Sequence, residues 1–243
     1  MSLSLGSTTI GSLYLGATKV GSAYLGNVKV YEARVDPYNP LRLPAFTMRI
    51  QFGTGNYNPT SESSNFWKSG TVWTQVSSSP NVWDYYNPNT SWAQAFENKL
   101  NHERTDTTKY IYILGANLTG VTSIASMFRC TSQASSTSSW VTGLKSVCLF
   151  DTSDVTGTGW GAAFNNNDLW EGDIPDFPIN SGVTNVNYAF ANCKALSGGI
   201  KSMYDKMSAI SGITSHTATF INAGSNTTSG AAELALVPSD WKS

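Results

Sequence analysis

Charged side chains are scarce in this sequence. Lys, Arg, Asp and Glu supply 13% of its 243 residues, about half the share of an average globular domain. The charges nearly cancel, to −1 at pH 7, and Ser, Thr, Asn and Gly carry the polarity instead. Without a basic surplus there is little to neutralise phosphates, which argues against a nucleic-acid partner. No apolar run approaches the ~18 residues of a membrane span, so membrane insertion is not expected. The cysteines, Cys130, Cys148 and Cys193, are an odd number without paired spacing and read as small buried apolar residues. The only histidines, His102 and His216, lie far apart and in no metal-ligand spacing with the cysteines. No Gly-rich phosphate loop follows a strand, and no Gly-x-Ser-x-Gly elbow is present. No metal, cofactor or catalytic residue is therefore assigned. The first residues also lack the basic stretch, apolar core and cleavage pattern of a secretory signal, and the expectation is a chain without its own export route.

What the sequence does have is repetition. Val121-Thr122-Ser123-Ile124 leads to Met127-Phe128, and Val155-Thr156-Gly157 leads to Ala163-Phe164. Val183-Thr184-Asn185-Val186 leads to Ala189-Phe190, and Ile213-Thr214-Ser215-His216 leads to Thr219-Phe220. The copies recur about every thirty residues, within the 20–50 range of stacked repeat units. In the undivided copies a β-branched residue and a Phe stand about two helical turns apart, so a short helix or 3₁₀ turn could present both on one face. Ser, Thr, Asn and Gly between them favour something short and tight. Leu144 to Phe150 follows the first copy as a buried strand.

Further segments fit around these units. Phe46, Met48, Ile50 and Phe52 alternate with polar residues, as in a half-buried strand. Val82 to Tyr86 is dense in aromatics, and Tyr110 to Leu114 is another strand. Asn89 to Trp92 could cap a helix running through Ala95, Phe96 and Leu100. Met203, Met207 and Ile210 mark a helix over 200–210, and a short last helix is expected over 231–236. The domain boundaries read as an arm at 1–31, a Pro-rich linker at 32–44 and one body at 45–243. Within the body, 45–118 is an N-terminal cap and 119–243 holds the repeats and a C-terminal cap.

Two family resemblances follow. Leu149-Phe150-Asp151-Thr152-Ser153-Asp154-Val155-Thr156 and Ala189-Phe190-Ala191-Asn192-Cys193 resemble the BspA-type leucine-rich repeat. Cys130 falls one residue early, and Asn167 and Ala223 stand where that pattern has Cys. Phe46–Phe52, Val76–Asp84 and Gly224–Trp241 resemble segments of such proteins from gut bacteriophages and prophages, so the likeness spans about residues 46–243. It implies an α/β solenoid of degenerate BspA-like leucine-rich repeats behind a short all-β N-terminal arm. The arm has a ten-residue period around Leu5-Gly6, Leu15-Gly16 and Leu25-Gly26. Each Gly-x pair suits the two-residue turn of a hairpin. These decamers look like the starts of many phage tail and fibre-like proteins. Isolated hairpins are marginal in water, so Leu5, Tyr14, Leu15, Tyr24, Leu25 and Val30 are the expected assembly contacts, the alternative being an N-terminal meander folded onto the chain's own body.

The resemblance implies a virion protein (fibre, tail or capsid decoration), assembled in the host cytoplasm and acting outside the cell. Its expected partners are other virion proteins, copies of itself (a trimer included) and a host-surface glycan or protein. Trp160 and Trp170 flank Asn165, Asn166 and Asn167, with Asp168 and Glu171 beside them. Rings, amides and carboxylates of this kind can stack on a sugar and bind its hydroxyls, and these seven residues form the expected binding patch. Two other readings stay open. A bacterial surface adhesin would require an export signal. A glycan depolymerase would require two close carboxylates, for which Asp151, Asp154, Asp168, Glu171, Asp173 and Asp176 are the pool.

Overall fold

The computed structural model describes residues 38–39, 41–53, 57–62, 66–97, 99–100, 110–130 and 143–243, together with the backbone of six short strands between residues 4 and 32. Those six form three antiparallel hairpins, each a sheet of its own. β1 (Ser4–Leu5) pairs with β2 (Thr8–Thr9), β3 (Tyr14–Leu15) with β4 (Thr18–Lys19), and β5 (Ser22–Leu25) with β6 (Val28–Glu32). Each hairpin brackets one of the Gly-x pairs of the decamers. The side chains of Leu5, Tyr14, Leu15, Tyr24, Leu25 and Val30 lie outside the described residues, as do most of the linker, the stretch 131–142 and His102.

The body begins with a five-stranded mixed sheet made of β7 (Thr47–Phe52), β8 (Val72–Ser78), β9 (Asn81–Tyr86), β10 (Tyr110–Asn117) and β11 (Gly143–Val147). Its order is β11-β10-β7-β9-β8, and only the β10–β11 pair is parallel. The alternation in β7 sends Met48, Ile50 and Phe52 inward, where Trp83, Tyr85, Ile111 and Ile113 join them. On the outer face Arg49 bridges strands to Asp84 through two hydrogen bonds of 2.7 and 2.8 Å. Beyond the sheet, β12 (Gly172–Asp173) pairs in parallel with β13 (Leu196–Gly198), followed by α1 (Ile200–Ser208) and α2 (Thr228–Ala235). The helix α1 buries Ile200, Met203 and Met207 on one face. It starts at Gly199, where φ is +76° and a Cβ would come within 2.4 Å of the Ile174 carbonyl oxygen.

The chain is not an α/β solenoid. Its regular structure is mainly β, centred on the five-stranded sheet, with two α-helices among the described residues. The repeat units do not supply helices. Each closes a four-residue turn by an i+3→i hydrogen bond: Met127 N–H to Ile124 O (2.9 Å), Ala163 to Trp160 (3.1 Å), Ala189 to Val186 (3.0 Å) and Thr219 to His216 (3.3 Å). The third residue of each turn has positive φ: Ser126, Ala162, Tyr188 and Ala218, from +50° to +58°. This is type II turn geometry, which ends any helix within one turn. The helix expected through Ala95 and Phe96 is a fifth copy of the same turn, with Ala95 N–H on Trp92 O (3.0 Å) and Gln94 at φ +61°.

These five turns stack, and backbone hydrogen bonds join each to the next. Phe96 N–H donates to Met127 O, Phe128 to Ala163 O, Phe164 to Ala189 O and Phe190 to Thr219 O, at 2.8–2.9 Å. The phenyl rings follow the backbone. Phe96, Phe128, Phe164, Phe190 and Phe220 lie in a column with centroids 5.2, 5.4, 5.5 and 5.6 Å apart and ring planes within 20°. The column and the inner face of the sheet share one continuous apolar core.

Candidate functional site

Stacking makes the surface of the turns periodic. The residue two past the column Phe is Asn166, Asn192 or Asn222 in three successive layers, each with φ between +56° and +61°, a conformation Asn tolerates better than most residues. Their amides hydrogen-bond in series. Asn222 Nδ2 donates to Asn192 Oδ1 (2.8 Å), Asn192 Nδ2 to Asn166 Oδ1 (2.8 Å), and Asn166 Nδ2 to the Cys130 carbonyl (3.3 Å). The row is thereby fixed in orientation before any ligand arrives.

Beside this row lies Tyr188, 45% exposed. It holds the positive-φ slot that Ala162 and Ala218 occupy in the flanking layers. A bulky residue in left-handed backbone is uncommon, and such outliers gather at functional positions. The small neighbour Ala162 leaves a groove of about 360 Å³ next to the ring, lined also by Arg129, Asn165 and Asn192. A smaller pocket of about 120 Å³, lined by Asn166, Asp168, Asn192 and Lys194, adjoins it through Asn192. The face therefore combines one exposed aromatic ring, a row of oriented amides and charges of both signs. Arg129 is steered by Glu97 at 3.3 Å.

Three of the seven residues expected to bind, Asn165, Asn166 and Asp168, line these recesses. The two tryptophans do not. Trp160 and Trp170 are fully buried, so neither can stack on a sugar. Trp160 fills the inward slot held by Ile124 and Val186 in neighbouring turns, and Trp170 packs 5.0 Å from Phe164. Asn167 is also internal. Its Nδ2 donates to the carbonyls of Phe128 (2.7 Å) and Phe164 (2.8 Å), and its Oδ1 accepts from the Cys130 thiol (2.9 Å). Glu171 is exposed and paired with Lys145. Sequence reasoning missed Tyr188, Arg129, Asn192 and Lys194. Aligning the units on Phe164, Phe190 and Phe220 would have exposed Tyr188 as the large residue in a slot otherwise held by alanine.

Asn167 gives a direct test of the buried network. Asn167→Ala takes the donor from the Phe128 carbonyl, leaves the Phe164 carbonyl with the Cys193 thiol, and is expected to cost about 1–3 kcal/mol, read from urea denaturation. Asn167→Cys should lose less, because Cys193 at the equivalent place donates its thiol to Phe164 O at 3.1 Å. An unchanged midpoint for Asn167→Ala would contradict the role assigned to the amide.

The acidic residues that could have formed a hydrolytic pair are mostly occupied structurally. Asp151 accepts from Ser153 N–H (2.8 Å), Asp154 from Gly120 N–H (2.7 Å) and Asp173 from the Ser197 hydroxyl (2.8 Å), and Asp176 pairs with Lys206. Among the described residues no three His, Cys, Asp or Glu side chains converge as a metal site would need. The cysteines are free. Burial pushes the thiols of Cys130 and Cys193 well up from their ordinary value, and that of half-buried Cys148 to about 12, so all three are thiols rather than nucleophilic thiolates near neutral pH. His216 stacks face to face on Trp241, centroids 4.4 Å apart. No described helix is long and apolar enough to cross a membrane. No protein-family model, curated protein or solved structure matches the chain.

Proposed function

We propose that this chain is a non-catalytic attachment protein of a bacteriophage particle, in which the hairpin arm joins virion partners or copies of the chain and the body presents the Tyr188 face to a host-surface glycan. The observation that carries the binding half is the exposed Tyr188 ring in left-handed backbone beside the pre-oriented amide row. An aromatic plate stacks on the apolar face of a pyranose, while amides, Arg129 and Lys194 meet its hydroxyls. The layered body behind it supports rigidity, which limits the ordering cost of binding. The arm supports the assembly half, because three small hairpins with separate sheets gain stability by joining larger ones.

The test is a glycan array probed with the full chain, followed by a reducing-sugar assay on any ligand found. The expected outcome is retention without sugar release, weakened about tenfold or more by Tyr188→Ala with the melting temperature held. Sugar release would replace attachment by depolymerisation. A binder indifferent to Tyr188→Ala would move the site elsewhere on the molecule.

A further inference from the structure

A separate groove of about 800 Å³ opens where β8 begins, lined in part by Thr60, Glu62, Trp67, Lys68, Thr71 and Trp73. Its two tryptophans are half-buried, unlike those of the core. Their rings sit 4.9 Å apart at 57°, an open angle rather than a closed stack. Both are held from behind. Trp67 Nε1 donates to the Pro59 carbonyl (2.9 Å), and its edge meets Phe66 at 4.7 Å. Trp73 packs on Tyr85 at 4.9 Å and Phe52 at 5.9 Å, and its Nε1 has no acceptor among the described residues. Such rings are aromatic walls set in place before a ligand arrives.

The groove carries one charge of each sign, Lys68 and Glu62, and the two are held differently. Lys68 opens a turn closed by Thr71 N–H on its own carbonyl (3.2 Å), with Gly70 at φ +81°. Among the described residues no carboxylate forms an ion pair with Lys68. Glu62, the acid in the groove, accepts from the Tyr57 hydroxyl at 2.9 Å. Burial pushes the Lys68 ammonium down from its ordinary value. It does the same to Lys99, which lies over Phe66 at 5.1 Å, while Glu97 pulls Lys99 back up and Lys68 adds to the lowering. An anion entering the groove would relieve Lys68.

We propose that this groove binds an anionic saccharide, with the sugar ring against Trp67 or Trp73 and its acidic group facing Lys68. A ring without charge makes no use of the Lys68 ammonium, and a simple anion leaves the tryptophans unused, so the pairing of the two features selects an acidic sugar. The site is distinct from the Tyr188 face. It rests on the attachment reading only for where such a polymer would be met.

Intrinsic tryptophan fluorescence of the full chain, titrated with polygalacturonate, dextran sulfate, neutral dextran and a single-stranded DNA oligomer, tests this. The two anionic glycans separate a carboxylate preference from a sulfate preference. The expected result is saturable binding to at least one of them, weakened by salt near 0.5 M. Lys68→Gln should lower affinity about tenfold without moving the melting temperature, and Lys68→Arg should restore most of it. Tyr188→Ala should leave this titration untouched, which keeps its failure distinct from that of the Tyr188 face. Absence of binding to both anionic glycans, equal binding of neutral dextran or DNA, or indifference to Lys68→Gln would overturn the assignment.

Discussion

Phe164→Ala is expected to destabilise the body by about 3–5 kcal/mol, the range for deleting a buried aromatic ring. Phe164 is the middle ring of the column, fully buried between Phe128 at 5.4 Å and Phe190 at 5.5 Å. Trp170 at 5.0 Å and Phe177 at 5.9 Å close in from the side. Truncation removes contacts to two layers at once and leaves a cavity that neither can fill, because their backbones are hydrogen-bonded to the same turn. For a chain of this length the melting temperature should fall by about 6–20 °C. Phe164→Leu should lose clearly less, since it keeps most of the volume. Thermal and urea melts of the two variants decide the matter. A loss below about 1 kcal/mol for Phe164→Ala would mean that the column is not what holds the layers together.

Parts of this architecture were plain in the sequence. The alternation at Phe46, Met48, Ile50 and Phe52 became β7, and the spacing of Met203 and Met207 became the buried face of α1. The recurring Phe residues were also visible, and they do stack. The local form of the units was not legible, because spacing cannot separate one face of a helix from a chain that turns back under a neighbour. The bonds that decide it, such as Phe128 N–H to Ala163 O, connect residues far apart in sequence. The fifth unit could have been found, since Trp92-x-x-Ala95-Phe96 repeats the pattern of Trp160-x-x-Ala163-Phe164. The same comparison would have placed Trp160 inside. It fills a slot that is Ile124 or Val186 in the adjoining layers, where both are fully buried. The Tyr188 face was only half legible. Asn165 and Asn166 stood out in a run of Asn, but Asn192, Asn222 and Tyr188 became conspicuous only once the layers were in register.

Register also explains how one protein can carry two dissimilar recesses. In the stacked turns a given slot projects to the same side in every layer, so a surface is written by the residues at one slot. Ala162 and Tyr188 write a groove with a single ring, and Asn166, Asn192 and Asn222 write a row of amides. The groove at Trp67 and Trp73 belongs to the other end of the body, where loop and sheet edge meet. It has no such regularity, and its chemistry is correspondingly different: tryptophan walls and a lysine in place of ordered amides.

Removing residues 238–243 should destabilise the body more than any single truncation in the column and should make it self-associate. Stacked layers leave unpaired backbone donors at the last turn, and here the final residues meet them. Phe220 N–H donates to Trp241 O (3.0 Å) and Ala218 N–H to Ser243 O (2.8 Å). The Trp241 ring continues the column past Phe220 at 6.3 Å and 27°, lies flat on His216 and meets Tyr204 edge-on at 5.3 Å. Loss of the buried indole alone corresponds to about 3–5 kcal/mol, and each lost backbone bond adds about 1 kcal/mol. The bared turn would then present two parallel donors and an exposed phenyl, an edge that another chain can pair with. Urea melts should show the stability loss, and light scattering across a concentration series should show growing mass in the truncated chain beyond that of the full chain. Trp241→Ala separates the two effects: it removes the ring but keeps the backbone bonds, so it should melt early with less association. A truncated chain that melts and scatters like the full one would show that these residues do not close the stack.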